Sequence, residues 1–146
     1  MKKEDLSRNF GFLISDVARL MRKNFDSRVK EIGLTRSQWW LLNHLFRADG
    51  ITQAELAETL EIERSSTGKL LDSLELKGWI KRVVDKKDRR SKRVFLTKEV
   101  EPIIKKMRGI AKKVREVSLG KLSSQQDDFV DILIEIKNNL TKDNGK

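Results

Sequence analysis

The residues best suited to chemistry in this chain are cations, and six of the 32 crowd into one short stretch. Lys86, Lys87, Arg89, Arg90, Lys92 and Arg93 fall between Asp85 and the alternating segment Val94-Phe95-Leu96-Thr97, which reads as a half-buried strand. Ile80-Lys81-Arg82-Val83-Val84 reads as the partner strand. The residues between them, Asp85 to Ser91, are too many for a two-residue hairpin turn, so the spacing predicts a projecting loop. Long cationic side chains at a narrow tip match the electronegative minor groove of DNA. The bland alternative is a solvated hairpin whose charge opposes aggregation.

Other chemistries find little support. The chain has no cysteine and a single histidine, which excludes a disulfide framework, a thiol redox switch, a cysteine zinc site and a histidine cluster for metal. Phosphate-binding glycine loops are absent. His44 stands between Leu42 and Leu45, where a partly buried histidine bonded to a neighbour is expected rather than a general base. No nucleophile–base pair is visible, so the expectation is a non-enzyme without cofactor or metal. Trp39 and Trp40 are adjacent and point about 100° apart on a helix. One is expected in the core, while the other is free to line a ligand pocket or a subunit interface.

The charge balance agrees with the cationic loop. Lys and Arg number 32 against 22 Asp and Glu, a net charge of +10. Such a surplus favours polyanions, nucleic acid first, with an anionic membrane surface or an acidic protein as alternatives. With 38% hydrophobic and 37% charged residues the chain has material for a core and is not of disordered composition. No apolar run is long enough to cross a bilayer. Met1-Lys2-Lys3-Glu4-Asp5-Leu6 lacks the apolar core of a signal peptide, so a cytoplasmic location is expected.

The elements that must position the cations follow from periodicity. Phe10, Leu13, Ile14, Val17, Leu20 and Met21 recur at helical spacing, and Gly33 is a suitable stop. Thr35-Arg36-Ser37-Gln38, Thr52-Gln53-Ala54-Glu55 and Ser123-Ser124-Gln125-Gln126 each have capping-box form, and each predicts a helix start. Between the last two, Arg64 to Lys77 reads as a helix with Leu70, Leu71 and Leu74 inward and Ser65, Ser66, Lys69 and Ser73 outward. After the hairpin, Thr97 is placed to cap a long helix through Ile103, Ile104, Met107, Ile110, Ala111, Val114 and Val117, with Pro102 in its early turns. Gly120 breaks that run. Phe129, Val130, Leu133, Ile136 and Leu140 mark the last helix, and the tail Lys142–Lys146 is expected to fray.

The order is four helices, a basic hairpin and two helices, and its middle, two short helices and the basic hairpin, describes a winged helix-turn-helix. In that motif the second helix lies in the major groove, and it needs small and polar residues in its N-terminal half for close approach. Arg64, Ser65, Ser66, Thr67, Gly68 and Lys69 supply them. Arg64 and Lys69 suit guanine acceptors or phosphate; the serines and Thr67 suit phosphate or thymine methyls. The terminal helices carry more apolar surface than one small lobe needs, and the simplest use is packing against a second copy. A compact monomeric bundle is the alternative.

The residues resemble the MarR family of bacterial and archaeal regulators, and in particular its SlyA-like branch, over nearly the whole chain. Leu34-Thr35-Arg36-Ser37-Gln38-Trp39 is similar to the family's second-helix opening, and Thr52-Gln53-Ala54-Glu55-Leu56-Ala57 to its third. Leu71 to Ile80 resembles the end of the recognition helix and the entry to the wing. Asp85-Lys86-Lys87-Asp88-Arg89-Arg90 followed by Ser91-Lys92-Arg93 and Leu96-Thr97 resembles the wing signature, and Glu101-Pro102 is a SlyA-like detail. Lys87 departs from the signature's first arginine, Lys98-Glu99-Val100 from its usual Glu-Lys-Gly, and Ser65 from a proline found in SlyA-like chains. The resemblance implies a homodimer held by the terminal helices, reading a pseudo-palindromic site. It also implies a crevice that often accepts small aromatic carboxylates, with Trp39, Phe10 and Ile14 nearby. Repression is the implied mode, with activation by displacing another DNA-bound protein as the SlyA-like variant.

The resulting expectation is a mainly α (α+β) winged helix-turn-helix with N- and C-terminal dimerisation helices. Residues 1–34 and 98–146 form the dimerisation helices and 35–97 the DNA-binding lobe. Arg36, Gln53, Arg64, Ser65, Ser66, Thr67, Lys69, Lys86, Lys87, Arg89, Arg90 and Lys92 are the candidate DNA contacts. Asp85 and Asp88 are expected to shape the wing. The partners expected are double-stranded DNA, a second copy of the chain and a small aromatic carboxylate, without a membrane. A basic nucleoid protein binding DNA without specificity is the alternative.

Overall fold

The computed structural model describes residues 5–143 and Gly145. Its helices and hairpin follow in the order predicted from the sequence. The chain divides into two compact units, Met1–Ala111 and Lys112–Lys146.

In the first unit, helix α1 (Phe10–Val29) starts at Asn9, whose side chain accepts from the Phe12 amide at 3.1 Å. It tightens into a 3-10 turn, Lys30–Ile32, and stops where Gly33 adopts φ +75°. Helix α2 (Arg36–Arg47) begins with the predicted capping box: Thr35 accepts from the Gln38 amide at 3.3 Å, and Gln38 accepts from the Thr35 amide at 3.0 Å. Helix α3 (Gln53–Leu60) repeats the device with Thr52 and Glu55. Glu61 then turns the chain in a left-handed conformation toward helix α4 (Arg64–Leu76). Strands β1 (Ile80–Val84) and β2 (Lys92–Leu96) pair antiparallel, with Ile80 opposite Leu96 and Val84 opposite Lys92. The Val94 amide donates to the Ile51 carbonyl at 2.9 Å and Thr52 bridges Arg93, so the approach to α3 borders β2.

The most deeply buried part of this unit is mainly aliphatic. Leu41, Leu42 and Leu45 of α2, Leu56 of α3, Leu71 and Leu74 of α4, and Val94 of β2 have no exposed surface. A helix face at i, i+3, i+4 meets an alternating strand here, so the two sequence periods converge on one interior.

Helix α5 (Glu101–Leu119) follows a 3-10 turn, Lys98–Val100. Pro102 lies in its first turn, where a missing amide costs little. Thr97 takes the extended cap backbone, yet its hydroxyl donates to the Gly78 carbonyl at 2.5 Å instead of capping the helix. That carbonyl lies past the end of α4, where no helical amide reaches it.

In the second unit, the capping box expected at Ser123 does not form. Gly120–Gln125 is a 3-10 stretch running directly into α6 (Gln126–Asp143), and a capping residue has to be extended rather than helical. Helix α6 continues through Lys142 and Asp143, which the sequence reading placed in a frayed tail; Asn144 and Lys146 of that tail lie outside the described residues.

Both terminal helices keep apolar side chains at the surface. On α1, Phe10, Leu13, Ile14, Val17, Leu20 and Met21 share one stripe, with Phe10 63% and Leu20 52% exposed. On α6, Phe129, Val130, Ile132, Leu133 and Leu140 are likewise exposed.

Candidate nucleic-acid interface

Helix α4 separates its faces cleanly. Thr67, Leu71 and Leu74 are buried, while Ser65, Ser66, Lys69 and Ser73 are exposed. Arg64 is exposed at the first helical position. Thr67 corrects the sequence reading. It is fully buried and its hydroxyl donates to the Glu63 carbonyl at 3.0 Å, so it is a core residue and is not available to DNA. Its position one turn before Leu71 puts it on the inward stripe, which the polar side chain disguised. A Cβ on Gly68 would stand 3.5 Å from Gln53 Nε2, so the half-buried Gln53 packs against the back of α4 at this residue.

The wing tip is a set of local turns that the two aspartates hold. Asp85 Oδ1 accepts from the Lys87 amide at 3.3 Å, and Asp88 Oδ1 accepts from the Arg90 amide at 3.1 Å. The Asp85 amide donates to the Ser91 carbonyl and the Ser91 amide to the Asp88 carbonyl, each at 2.9 Å. Such Asx turns suit a tip without glycine. The bond from the Lys87 amide, with Arg93 beside it, holds the Asp85 carboxyl below its ordinary range. Lys86, Lys87, Arg89, Arg90 and Lys92 are exposed. Arg90 stands 3.8 Å from the Asp88 carboxylate and remains 97% exposed, a loose pair that leaves the guanidinium available.

Arg93 does not project with these cations. Its Nε donates to Asp85 Oδ1 at 3.2 Å and its Nη1 to the Gly50 carbonyl at 2.8 Å. It anchors the wing root to the corner between α2 and α3. Asp49 adds a second stitch there, accepting from the Leu96 amide at 2.9 Å. Sequence reasoning missed both ties, and it missed Arg82. That guanidinium reaches from β1 to two carboxylates of α4, donating from Nη2 to Asp72 Oδ1 and from Nε to Glu75 Oε2, each at 2.5 Å. The available signal was the i, i+3 spacing of Asp72 and Glu75 and the alternation that puts Arg82 on the strand face of the buried Ile80.

One tryptophan fills the core, as expected, and it is Trp39, the residue expected beside the ligand crevice. Trp39 is 4% exposed, its ring centroid 4.4 Å from that of Phe25, and its indole donates to Asp26 Oδ1 at 2.6 Å. Phe10 and Ile14 lie about 22 and 16 Å from Phe25 along α1 at 1.5 Å per residue, so one chain does not bring them to Trp39. Trp40 is the half-buried partner, with Arg22 5.9 Å from its ring and His44 edge-on at 4.7 Å. His44 Nδ1 is bonded to the Trp40 carbonyl at 2.8 Å, a local bond of the expected kind. Arg36 is half exposed at the start of α2, its Nε 3.6 Å from Asp26 Oδ2, so α1 has a claim on it before any phosphate does.

Comparison with known proteins matches this geometry. A MarR family model matches residues 32–91, which span α2 through the wing tip. The solved transcriptional regulator PA3341 is 34% identical over 91% of this chain and 98% of its own, with a TM-score of 0.76. A MarR transcriptional regulator from Methanosarcina mazei Go1 is 28% identical over 90% of this chain and 96% of its own, TM-score 0.74. A crystal structure of MarR shares the fold at 22% identity and TM-score 0.81 over 98% of each chain. With about a third of its residues shared with a transcriptional regulator across nearly all of both chains, and a family match from α2 through the wing tip, the chain belongs to the MarR family of transcriptional regulators.

Proposed function

We propose that this regulator binds a pseudo-palindromic operator as a homodimer and represses transcription by occupying the promoter. The observation that carries the reading is the pairing of the exposed polar face of α4 with a cationic wing tip tied to the same core. Arg64, Ser65, Ser66 and Lys69 face the major groove. Arg89 enters the flanking minor groove, with Lys86, Lys87, Arg90 and Lys92 on the backbone. Arg36 and Gln53 approach the phosphates beside the helix. The exposed stripes of α1 and α6 supply the dimer contact, since each lobe reads half a site. The SlyA-like variant, activation by displacing another DNA-bound protein, rests on Glu101-Pro102 and the wing residues.

Selection of bound genomic fragments supplies the operator, and titration at fixed salt tests it. The wild type binds the selected duplex more tightly than a shuffled one, and Arg89→Ala weakens that binding by about 1–3 kcal/mol. Equal affinity for both duplexes overturns the reading. A small aromatic carboxylate is the proposed effector class. Because Trp39 and Phe10 are distant in one chain, the crevice draws Phe10 and Ile14 from the second copy. Salicylate at millimolar concentration then weakens operator binding of the wild type, and less so of a folded Trp39→Ala variant; an equal effect on both places the pocket elsewhere.

A further inference from the structure

The Arg82 clamp has no assigned role in DNA reading. Its guanidinium is 16% exposed, while its two partners, Asp72 and Glu75, are 63% and 44% exposed. Burial opposes the Arg82 charge, yet the hydrogen bonds it donates to Asp72 and Glu75 carry its pKa above the ordinary value. Asp72 lies on the outward face of α4, about 20° round the helix from Ser65, and Glu75 lies on its flank. Two anchors therefore hold the wing: Arg93 ties it to the α2–α3 corner, and Arg82 ties it to α4 itself.

We propose that Arg82 is a positioning residue for DNA reading: by gripping two carboxylates one turn apart, it fixes the rotation of α4 about its axis relative to the wing. The reasoning is geometric. A side chain on a helix acts at a radius of about 5–6 Å, so about 1 Å of slack at the carboxylates permits roughly 10° of rotation. That rotation moves the groove-facing side chains by about the same 1 Å, a third of a hydrogen-bond length. The wing, still held by Arg93, does not follow. Helix and wing then no longer meet their grooves together, and the second contact loses the effective concentration that a rigid link provides. A competing account is electrostatic: Arg82 merely neutralises two carboxylates near the phosphates.

The two accounts predict opposite signs for one variant, and the proposal rests on the DNA-binding reading above. Asp72→Asn/Glu75→Gln removes two negative charges from the DNA side and frees a cation. Charge alone makes it bind the selected duplex more tightly than the wild type. Positioning makes it bind about tenfold more weakly, and makes Arg89→Ala nearly silent in that background because the wing is already out of register. Arg82→Gln shows the same pattern, and the variant with all three changes is no worse than either. Thermal melts confirm folding; the carboxylate variant alters exposed residues and keeps the test open if Arg82→Gln unfolds. Tighter or unchanged binding by the carboxylate variant, or an undiminished effect of Arg89→Ala within it, overturns the proposal. Failure of the wild type to prefer the selected duplex instead overturns the DNA-binding reading.

Discussion

Replacing Gly50 by alanine tests how the wing root is packed. Gly50 adopts φ +84°, and a Cβ there would lie 2.8 Å from Phe95 Cε1 and 3.3 Å from its Cζ. The left-handed backbone costs an alanine about 1–2 kcal/mol. Carbon atoms prefer about 3.5–4.0 Å, so the ring has to retreat by about 0.7 Å or more. Phe95 is half-buried in β2, and overpacking of this kind costs about 1–3 kcal/mol. The sum, roughly 2–5 kcal/mol, lowers Tm by about 5–15 °C for a chain of this size. The assay is a thermal melt followed by circular dichroism at one fixed protein concentration, since association shifts Tm. A second melt uses the Phe95→Ala background, where the ring is gone and only the backbone strain remains. Wing function should suffer in parallel, because the Gly50 carbonyl accepts from Arg93 and its amide donates to Val94. A Gly50→Ala variant that melts within about 2 °C of the wild type refutes the reasoning. So does an equal penalty with and without the Phe95 ring.

Three further outcomes are expected. Glu61 is the one non-glycine residue with positive φ among the described residues, at +55°; relief of about 1–2 kcal/mol of left-handed strain, less about 0.5–1 kcal/mol of glycine chain entropy, should let Glu61→Gly raise stability by roughly 0.5–1 kcal/mol in a urea titration, and no gain refutes strain at that turn. The folded pKa of Asp85 is depressed, so its contribution is complete above the unfolded value of about 3.9 and fades as pH falls through the lower folded value; Asp85→Asn should remove this acid-side loss from melts taken between about pH 2 and 5, and an identical pH profile contradicts the anchor. Leu20, half exposed on the apolar stripe of α1, should lie in the dimer contact, so Leu20→Glu should shift sedimentation toward monomer and weaken operator binding at least about tenfold, whereas an unchanged dimer moves the interface elsewhere.

The order of elements, the helix starts at Thr35 and Thr52, the long wing and its basic character could all be read along the chain. These are local properties: capping boxes close within four residues, and a strand's alternation is written in neighbours. The two wing aspartates were legible for the same reason, since an Asx turn spans two residues. Tertiary structure alone decided which way the ambiguous side chains point. Thr67 is polar yet lies inside, because its place on the helix outweighs a hydroxyl that bonds its own backbone. Arg93 and Arg82 look like two more cations of the wing, yet each turns inward to partners contributed by other elements, seven to 43 residues away. Trp39 and Trp40 are equivalent in sequence, and only the seat of Phe25 and Asp26 on α1 assigns the first to the core. Charge and periodicity report composition along the chain. Which carboxylate meets which guanidinium depends on distances across it, and these exist only once the core has closed.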